Sequence, residues 1–564
     1  MMLDDIDLND IQEENARQLV KRLLNLIEDL SADLRDAQAE IQRLRDEVNR
    51  LKGEQGKPNI KANRSKPSRS DYSSEKERRT SRPRRKRSKK ASVRIDREQV
   101  LPVWVLEGKV APSSLPADAE FKGYEDVVVQ DVVFRTDNVC FHKEKYYAAS
   151  TAKSYLAELP RGYEGEFGPG IKALTLTLYF GAGMSEPKIL ELYADAGVQI
   201  SKGEVSQLLI KGQEAFHAEK EAVYEAGLRS SPWQHIDDTG TRVNGQNWHC
   251  HIVCNPLYTL YHTLSGKDRL SVLDVLRQRR ERVFRLNEEA LGYLTSLSLP
   301  KTARQTLLTW CAERDLDEAA CLNRLETHLP ALSRLQRKAI IDAAAVAAYH
   351  AELGVPLVRL LVCDDAPQFK WLTEDIGLCW VHEGRHYKKL TPAIALHRQQ
   401  LVDFVKQFWD FYRLTPTWRK QMLAYQRQPS PQERCRLEAE FDRLFSTVTG
   451  YDALDARIAK TREKKVSLLM ALQHPEIPLH NNPAEWEVRR RVRKRDVSFG
   501  PRTPDGVRAW DTFMSLAATT RKLGISFYQY IHDRISKANQ IPPLASLIET
   551  RANELALGAS WSIA

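Results

Sequence analysis

The sequence predicts an α/β core broken by large helical insertions and preceded by a long amphipathic helix. Three observations carry this expectation. Strand-like runs at 234–243, 248–254 and 258–264 follow one another across Asn244-Gly245 and Asn255-Pro256; Asn-Gly between two such runs is a hairpin signature. Two further apolar runs, 357–363 and 377–381, alternate with stretches of helical periodicity. An unbroken heptad pattern occupies residues 13–52, ahead of a basic, low-complexity stretch. At 564 residues the chain exceeds a single core, which rarely grows beyond ~250–300 residues.

The heptads place Val20, Ile27, Leu34, Ile41 and Val48 at a, with Leu23, Leu30, Ala37, Leu44 and Leu51 at d. Mostly β-branched residues at a and Leu at d favour a two-stranded parallel coiled coil. Residues 1–53 therefore read as a dimerisation zipper. Residues 54–97 form a linker of Lys, Arg, Ser and Pro, too poor in apolar side chains to fold alone. Positions 57–94 hold 16 Lys or Arg against three acids, a net of +13, which leaves the rest of this +10 chain at −3. Such a segment reads as a polyanion-binding arm, with Arg82, Arg84, Arg85, Lys86 and Arg87 as its candidate contacts.

Residues 98–165 show strand-like patterns at 126–134 and 138–141 and suggest a small β-rich module. Residues 166–230 are helical. Within them 184–212 reads as helix, turn, helix: Ser185 caps the first helix, Gly197 closes it, and Ser201-Lys202-Gly203-Glu204 is a capping box for the second. A helix-turn-helix docks its second helix in the major groove, which makes Ser201, Lys202, Ser206, Gln207 and Lys211 candidate DNA contacts. An ordinary helical hairpin is the alternative.

From 231 to 535, three antiparallel strands followed by strands alternating with helices describe a ribonuclease-H-like α/β core, with helical insertions at about 269–349 and 392–472. Asp237 lies on its first strand and Asp364 at the end of its fourth. Glu485 opens a helix for which Asn482 suits the N-cap and Pro483 the first turn. Carboxylates are hard oxygen ligands for divalent cations, and two such ions can activate an attacking oxygen and stabilise a leaving one in phosphoryl transfer. Each acid has a structural alternative. Asn-x-x-Glu is also a capping box, acids commonly end strands in turns, and Asp238 and Asp365 are adjacent candidates. Past Glu485, the run Arg489, Arg490, Arg493 and Lys494 is placed to grip a phosphate backbone, with Arg489 and Arg493 on the face of Glu485. His382 is an auxiliary candidate for orienting a phosphate or water, and equally reads as a structural histidine.

Eight scattered cysteines without any Cys-x-x-Cys read as reduced thiols. A metal site on His249, Cys250, His251 and Cys254 is disfavoured, because alternate strand residues face opposite sides. No apolar run approaches the ~20 residues of a membrane span, and the acidic first residues lack a signal-peptide core. A cytoplasmic, nucleoid-associated protein with no membrane partner is expected, with residues 536–564 as a C-terminal tail.

His235-Ile236-Asp237-Asp238-Thr239, the strand end at Asp364, Cys379-Trp380-Val381-His382 and Asn481-Asn482-Pro483-Ala484-Glu485 together resemble the bacterial transposases of the insertion sequence 66 group. So does the C-terminal run through Phe499-Gly500, Gly506 and Ala517-Ala518-Thr519-Thr520. The resemblance spans most of 165–535. It implies a DDE transposase whose triad is Asp237, Asp364 and Glu485, holding two Mg²⁺ ions, with Mn²⁺ as a substitute. A 3′-hydroxyl freed at the element end would attack target DNA. Implied partners are double-stranded DNA of element ends and target, a homodimer or higher oligomer through the zipper, and accessory proteins of the same element. Two departures stand out. Residues 98–165 hold only Cys140, so the group's usual zinc-binding module is not expected, and 269–349 is longer than the usual connection. The alternatives are a nuclease of the same core without strand transfer, and a non-enzymatic DNA-binding dimer derived from a transposase.

Overall fold

The computed structural model describes residues 8, 11–51, 116, 118–124, 129, 131–132, 134–295, 299–310, 315–352, 354, 356–414, 426 and 428–561. The chain divides into two compact units, one of Met1–Tyr72, Glu158–Ile189 and Lys202–Ala564, the other of Ser73–Ala157 and Leu190–Ser201. Among the described residues the strands are β1 (Lys145–Ala148), β2 (Lys153–Leu156), β3 (Trp233–Val243), β4 (Gln246–Cys254), β5 (Thr259–Leu264), β6 (Leu360–Cys363) and β7 (Asp375–Leu378). The helices used below are α1 (Glu14–Leu51), α2 (Pro169–Leu176), α3 (Glu186–Asp195), α4 (Lys202–Ile210), α5 (Glu214–Arg229), α6 (Arg269–Leu276), α7 (Arg334–His350), α8 (Trp380–Tyr387), α9 (Ala395–Trp409), α10 (Asp452–Glu463), α11 (Asn482–Ser498), α12 (Pro504–Lys522) and α13 (Leu544–Leu555).

The larger unit is built on a mixed five-stranded sheet in the order β5-β4-β3-β6-β7. β3, β4 and β5 form an antiparallel meander, turned at Asn244 (φ 47) and Gly245 (φ 78) as Asn-Gly foretells. β6 and β7 run parallel to β3. The sheet is buried on both faces, so Ile252, Val253, Leu260 and Leu361 are all inaccessible. Helices fill 269–350 between β5 and β6, and again from Ala395 onward between β7 and α11, close to the two expected insertions. α13 packs on α5, and the carbonyl of Leu557 accepts the indole N–H of Trp233 at 2.7 Å. The segment expected as a tail is thus fastened to the first residue of β3.

The outer edge of β5 is covered by α12. The β5 amides at Thr259, Tyr261 and Thr263 donate to Thr519 Oγ1, Ser515 Oγ and Asp511 Oδ2 at 3.2, 2.9 and 2.7 Å. Every fourth helical residue advances about 6 Å, and every second strand residue about 6.8 Å, so the two series stay nearly in step. An exposed sheet edge is a template for unwanted pairing, and side chains here satisfy it without a sixth strand.

Two expectations need correction. The run 377–381 does not stay extended: β7 ends at Leu378, Cys379 is the N-cap (φ −73, ψ 115), and the chain turns into α8 at Trp380. The turn buries the Trp380 indole against Tyr412, with its N–H on the Leu468 carbonyl at 2.8 Å. In the smaller unit, 138–141 forms no strand. The hairpin forms instead at β1 and β2, and most of 126–134 lies outside the described residues. Val129, Val132, Phe134 and Val139 are all exposed, so within the described residues no second layer rewards pairing there.

α1 is one continuous helix of 38 residues. Its a/d positions Leu23, Leu30, Leu34, Ile41, Leu44, Val48 and Leu51 are exposed. A different face, Leu24, Asn25 and Glu28, is buried against the second insertion. The Glu28 carboxylate accepts the amides of Ala393 and Ile394 at 2.8 Å each and lies 3.2 Å from His397 Nδ1. The Asn25 amide bridges the Gly450 carbonyl and the Asp452 N–H. Charge-assisted hydrogen bonds contribute roughly 1.5–3 kcal/mol each. Glu28→Ala is therefore expected to detach α1, seen as faster hydrogen exchange at Ala393 and Ile394 and new protease cuts in α1. Unchanged exchange would mean the contact holds nothing.

Candidate metal and phosphoryl-transfer site

Register brings the acids together. β3 and β6 pair Trp233 with Leu360, Gln234 with Leu361 and His235 with Val362. Two residues further on, Asp237, midway along β3, comes level with Asp364, just past the end of β6, on one face. The third element is held to that face by Asn481. Its amide nitrogen donates to the Ile236 carbonyl at 2.8 Å, and its amide oxygen lies 2.8 Å from His235 Nδ1. Because the amide nitrogen is already used, His235 must carry its proton on Nδ1 and donate to Asn481. Burial pushes His235 down to about 3, so it remains neutral.

Asn481, not Asn482, is the N-cap of α11, and its side chain makes no cap hydrogen bond. With Asn481 as N-cap the N3 position is Ala484, and Asn482 Oδ1, three residues before Glu485, accepts no hydrogen bond, so no capping box forms on Glu485. Glu485 is buried within an ion cluster: Arg385 Nη2 lies 3.3 Å from its carboxylate, His382 Nε2 3.4 Å and Arg489 Nη2 3.7 Å. Arg385, on the turn of α8 after His382, escaped the sequence reading. Its signal is the spacing of three from His382, which shares a helix face once 380–387 is known to be helical.

The members of each acid pair differ in their partners. Asp365 is taken by Lys464 at 2.7 Å, and that lysine also reaches the buried Glu383 at 3.1 Å. Asp238 accepts from Gln368 Nε2 at 3.0 Å. Asp237 and Asp364 accept only backbone N–H groups, from Asp238 at 2.8 Å and Ala366 at 3.2 Å, and among the described residues neither has a salt-bridge partner. Burial, with Asp364 and Glu485 adding repulsion, pushes Asp237 up to about 8. Burial raises Asp364 as well, while nearby His382 opposes the rise. Buried carboxylates without a cation are costly, and a divalent ion removes that cost, so the residues fit such an ion. The loop after Asp364 is pinned by Arg269, which donates to the carbonyls of Pro367 and Lys370 and pairs with Asp342.

Among the described residues, the ligand atoms of Cys379, His382 and Glu485 also lie within 4.8 Å of one another. Cys379 is a poor ligand there. Its sulfur accepts the Asn481 N–H at 3.2 Å, and burial raises the thiol to about 12, so no thiolate is on offer. The His249, Cys250, His251 and Cys254 set is not brought together: Cys250 faces away from the two histidines, and Cys254 pairs with His235 at the far end of β4.

Of the remaining candidates, Lys202, Gln207 and Lys211 are exposed on or next to α4, and Ser206 donates to Glu186 at the start of α3. Arg489 and Arg490 are half-buried and Arg493 is exposed. Lys494 is buried, its ammonium donating to the Met184 carbonyl at 2.7 Å and Ser498 Oγ at 2.8 Å. Arg82, Arg84, Arg85, Lys86 and Arg87 lie outside the described residues. Among the described residues, no helix is long and apolar enough to cross a membrane.

A sequence model described as the transposase IS66 family matches residues 360–509, a span that holds Asp364 and Glu485 but begins after β3 and Asp237. The uncharacterized protein y4jO of Sinorhizobium fredii (strain NBRC 101917 / NGR234) is 32% identical over 328 residues, covering 58% of this chain and 99% of that protein.

Asp237, raised to about 8 from below 4, binds protons more readily folded than unfolded. It stabilises the metal-free fold at low pH, and that contribution is lost as pH rises through 8. At pH 8 in EDTA, Asp237→Asn should therefore melt a few degrees above the parent and lose any stabilisation by added Mg²⁺. An unchanged melting point together with a retained Mg²⁺ response would remove Asp237 from the site.

Proposed function

The chain belongs to the IS66 transposase family, and from that premise we propose that it is a DDE transposase cutting and joining the ends of its own mobile element. The observation that carries the proposal is the convergence of Asp237 and Asp364 from adjacent parallel strands with Glu485 from the helix tied across them. The sheet order, a three-stranded meander flanked by two strands parallel to its first, supports a ribonuclease-H-like core. Asp237, Asp364 and Glu485 would hold divalent ions, Mg²⁺ or in its place Mn²⁺. Bound there, a pair of ions supplies activation of the attacking oxygen and stabilisation of the leaving one. Arg385 and Arg489 offset the Glu485 charge and position its carboxylate, and His382 stands where it can orient a water or phosphate oxygen. No Ser or Tyr nucleophile is required.

The partner is double-stranded DNA. The basic segment 57–94 is its sequence-independent arm, and α4 supplies end recognition through Lys202, Gln207 and the adjoining Lys211. The exposed a/d seam of α1 pairs two copies. Because α1 is also anchored on its own catalytic unit by Glu28, pairing through the seam would carry the two catalytic units with it.

Asp237→Asn, Asp364→Asn and Glu485→Gln are each expected to lower Mg²⁺-dependent cleavage of element-end DNA by roughly 10³-fold or more while leaving DNA affinity nearly unchanged. Near-parental cleavage by any one of them removes that residue from the triad. Cleavage by the parent without joining to a target duplex would favour the nuclease alternative. For the seam, Leu34→Glu with Ile41→Glu buries unpaired charge at a dry interface. Light scattering should show the mass falling to that of one chain; an unaltered oligomer places the contact elsewhere.

A further inference from the structure

α11 carries a second feature farther along its length. A cavity of about 330 Å³ lies between α11, α12, β5 and the turn that follows α2. Its walls are cationic, with Arg490, Arg493 and Lys494 from α11 and Arg521 from α12, against a single acid, Glu487. That acid is already matched, since its carboxylate accepts the Tyr261 hydroxyl at 2.7 Å and lies 3.4 Å from Arg490. Lys494 is wall, not ligand: its ammonium sits 3.2 Å over the Tyr179 ring and holds the Met184 carbonyl, fixing the turn against α11. Arg493 and Arg521 are different. Both are exposed, and among the described residues neither has an acidic partner. Ala182, exposed at the same cavity, leaves it open.

Two uncompensated guanidinium groups around one concavity suit an anion, and their planar forks match phosphate oxygens. The spacing along α11 says which anion. At 1.5 Å per residue, Arg490 and Arg493 lie about 7.5 and 12 Å along the helix from Glu485. A duplex strand advances about 3.4 Å per nucleotide, so the cavity lies roughly two to four nucleotides from the acids. We infer that this cavity seats one backbone phosphate, with its nucleotide, of the DNA strand processed at Asp237, Asp364 and Glu485. The inference rests on the DNA reading above.

The test uses the full-length chain, a fluorescein-labelled random-sequence duplex in Ca²⁺, and dTMP and inorganic phosphate as competitors. Two variants are compared after their melting points are shown to match the parent: Arg493→Ala with Arg521→Ala, which removes the cations, and Ala182→Trp, which fills the cavity and keeps every charge. Both should weaken duplex binding about tenfold, and the arginine variant should lower the salt slope by about one. Neither dTMP nor phosphate should displace the duplex at comparable concentrations. If the arginine variant weakens binding while Ala182→Trp does not, the charges act across an open surface and the cavity inference fails. It fails also if dTMP binds as tightly as duplex and Ala182→Trp abolishes only that binding, since the site is then one for free nucleotides. A parent that binds duplex, with both variants unchanged, overturns the cavity alone; a parent that binds no duplex overturns the DNA reading itself.

Discussion

One amide side chain holds the site together. Asn481 spans β3 and α11, taking the Ile236 carbonyl with its nitrogen and the His235 ring with its oxygen. Both contacts are fully buried, where an unmade hydrogen bond costs about 1–3 kcal/mol. The helix therefore cannot slide along the sheet without orphaning several groups at once. Since Asp237 follows Ile236 directly and Glu485 lies one helical turn past Asn481, the bond that fixes the fold also fixes the separation of two acids. It depends on a neutral imidazole. Burial lowers the His235 pKa to about 3, below its unfolded value of about 6.5, so protonation favours the unfolded chain and this tie weakens as pH falls below about 6.5.

The charges around the acids are unevenly shared. Glu485 has two arginines and His382, whose protonation burial disfavours, at 3.3 to 3.7 Å, whereas Asp237 and Asp364 have backbone amides alone. Their neighbours Asp238 and Asp365 are satisfied by Gln368 and Lys464. A neutral amide thus serves Asp238 and a lysine Asp365, while among the described residues Asp237 and Asp364 have no side-chain partner. Glu485 lies between these cases, pre-positioned by arginines yet close enough to Asp237 to raise it.

Much of this was legible in the chain. Alternation and Asn-Gly located the meander to within two residues, and the acid at the end of a Leu-Val-Cys run located β6. What failed did so for identifiable reasons. A short apolar run such as 377–381 does not distinguish strand from buried helix, and only the tertiary aromatic cluster around Trp380 decides for α8. The N-cap was misplaced by one residue because Asn481 and Asn482 are equivalent to local rules. Only the presence of His235 and Ile236, 245 positions away, tells them apart. Arg385 and Arg269 were missed because their role is contact across the chain, which no spacing along it announces. The net charge of 57–94, by contrast, follows from composition alone and does not depend on a fold.

The match between α12 and β5 makes chain length itself a constraint. Asp511, Ser515 and Thr519 meet Thr263, Tyr261 and Thr259 like two rulers laid antiparallel. Conservative exchange of any one donor or acceptor disturbs one rung. Inserting or deleting a single residue between Asp511 and Thr519 rotates the following side chains by about 100° around the helix, and every rung beyond the change is lost together. This stretch should thus tolerate point changes far better than changes of length.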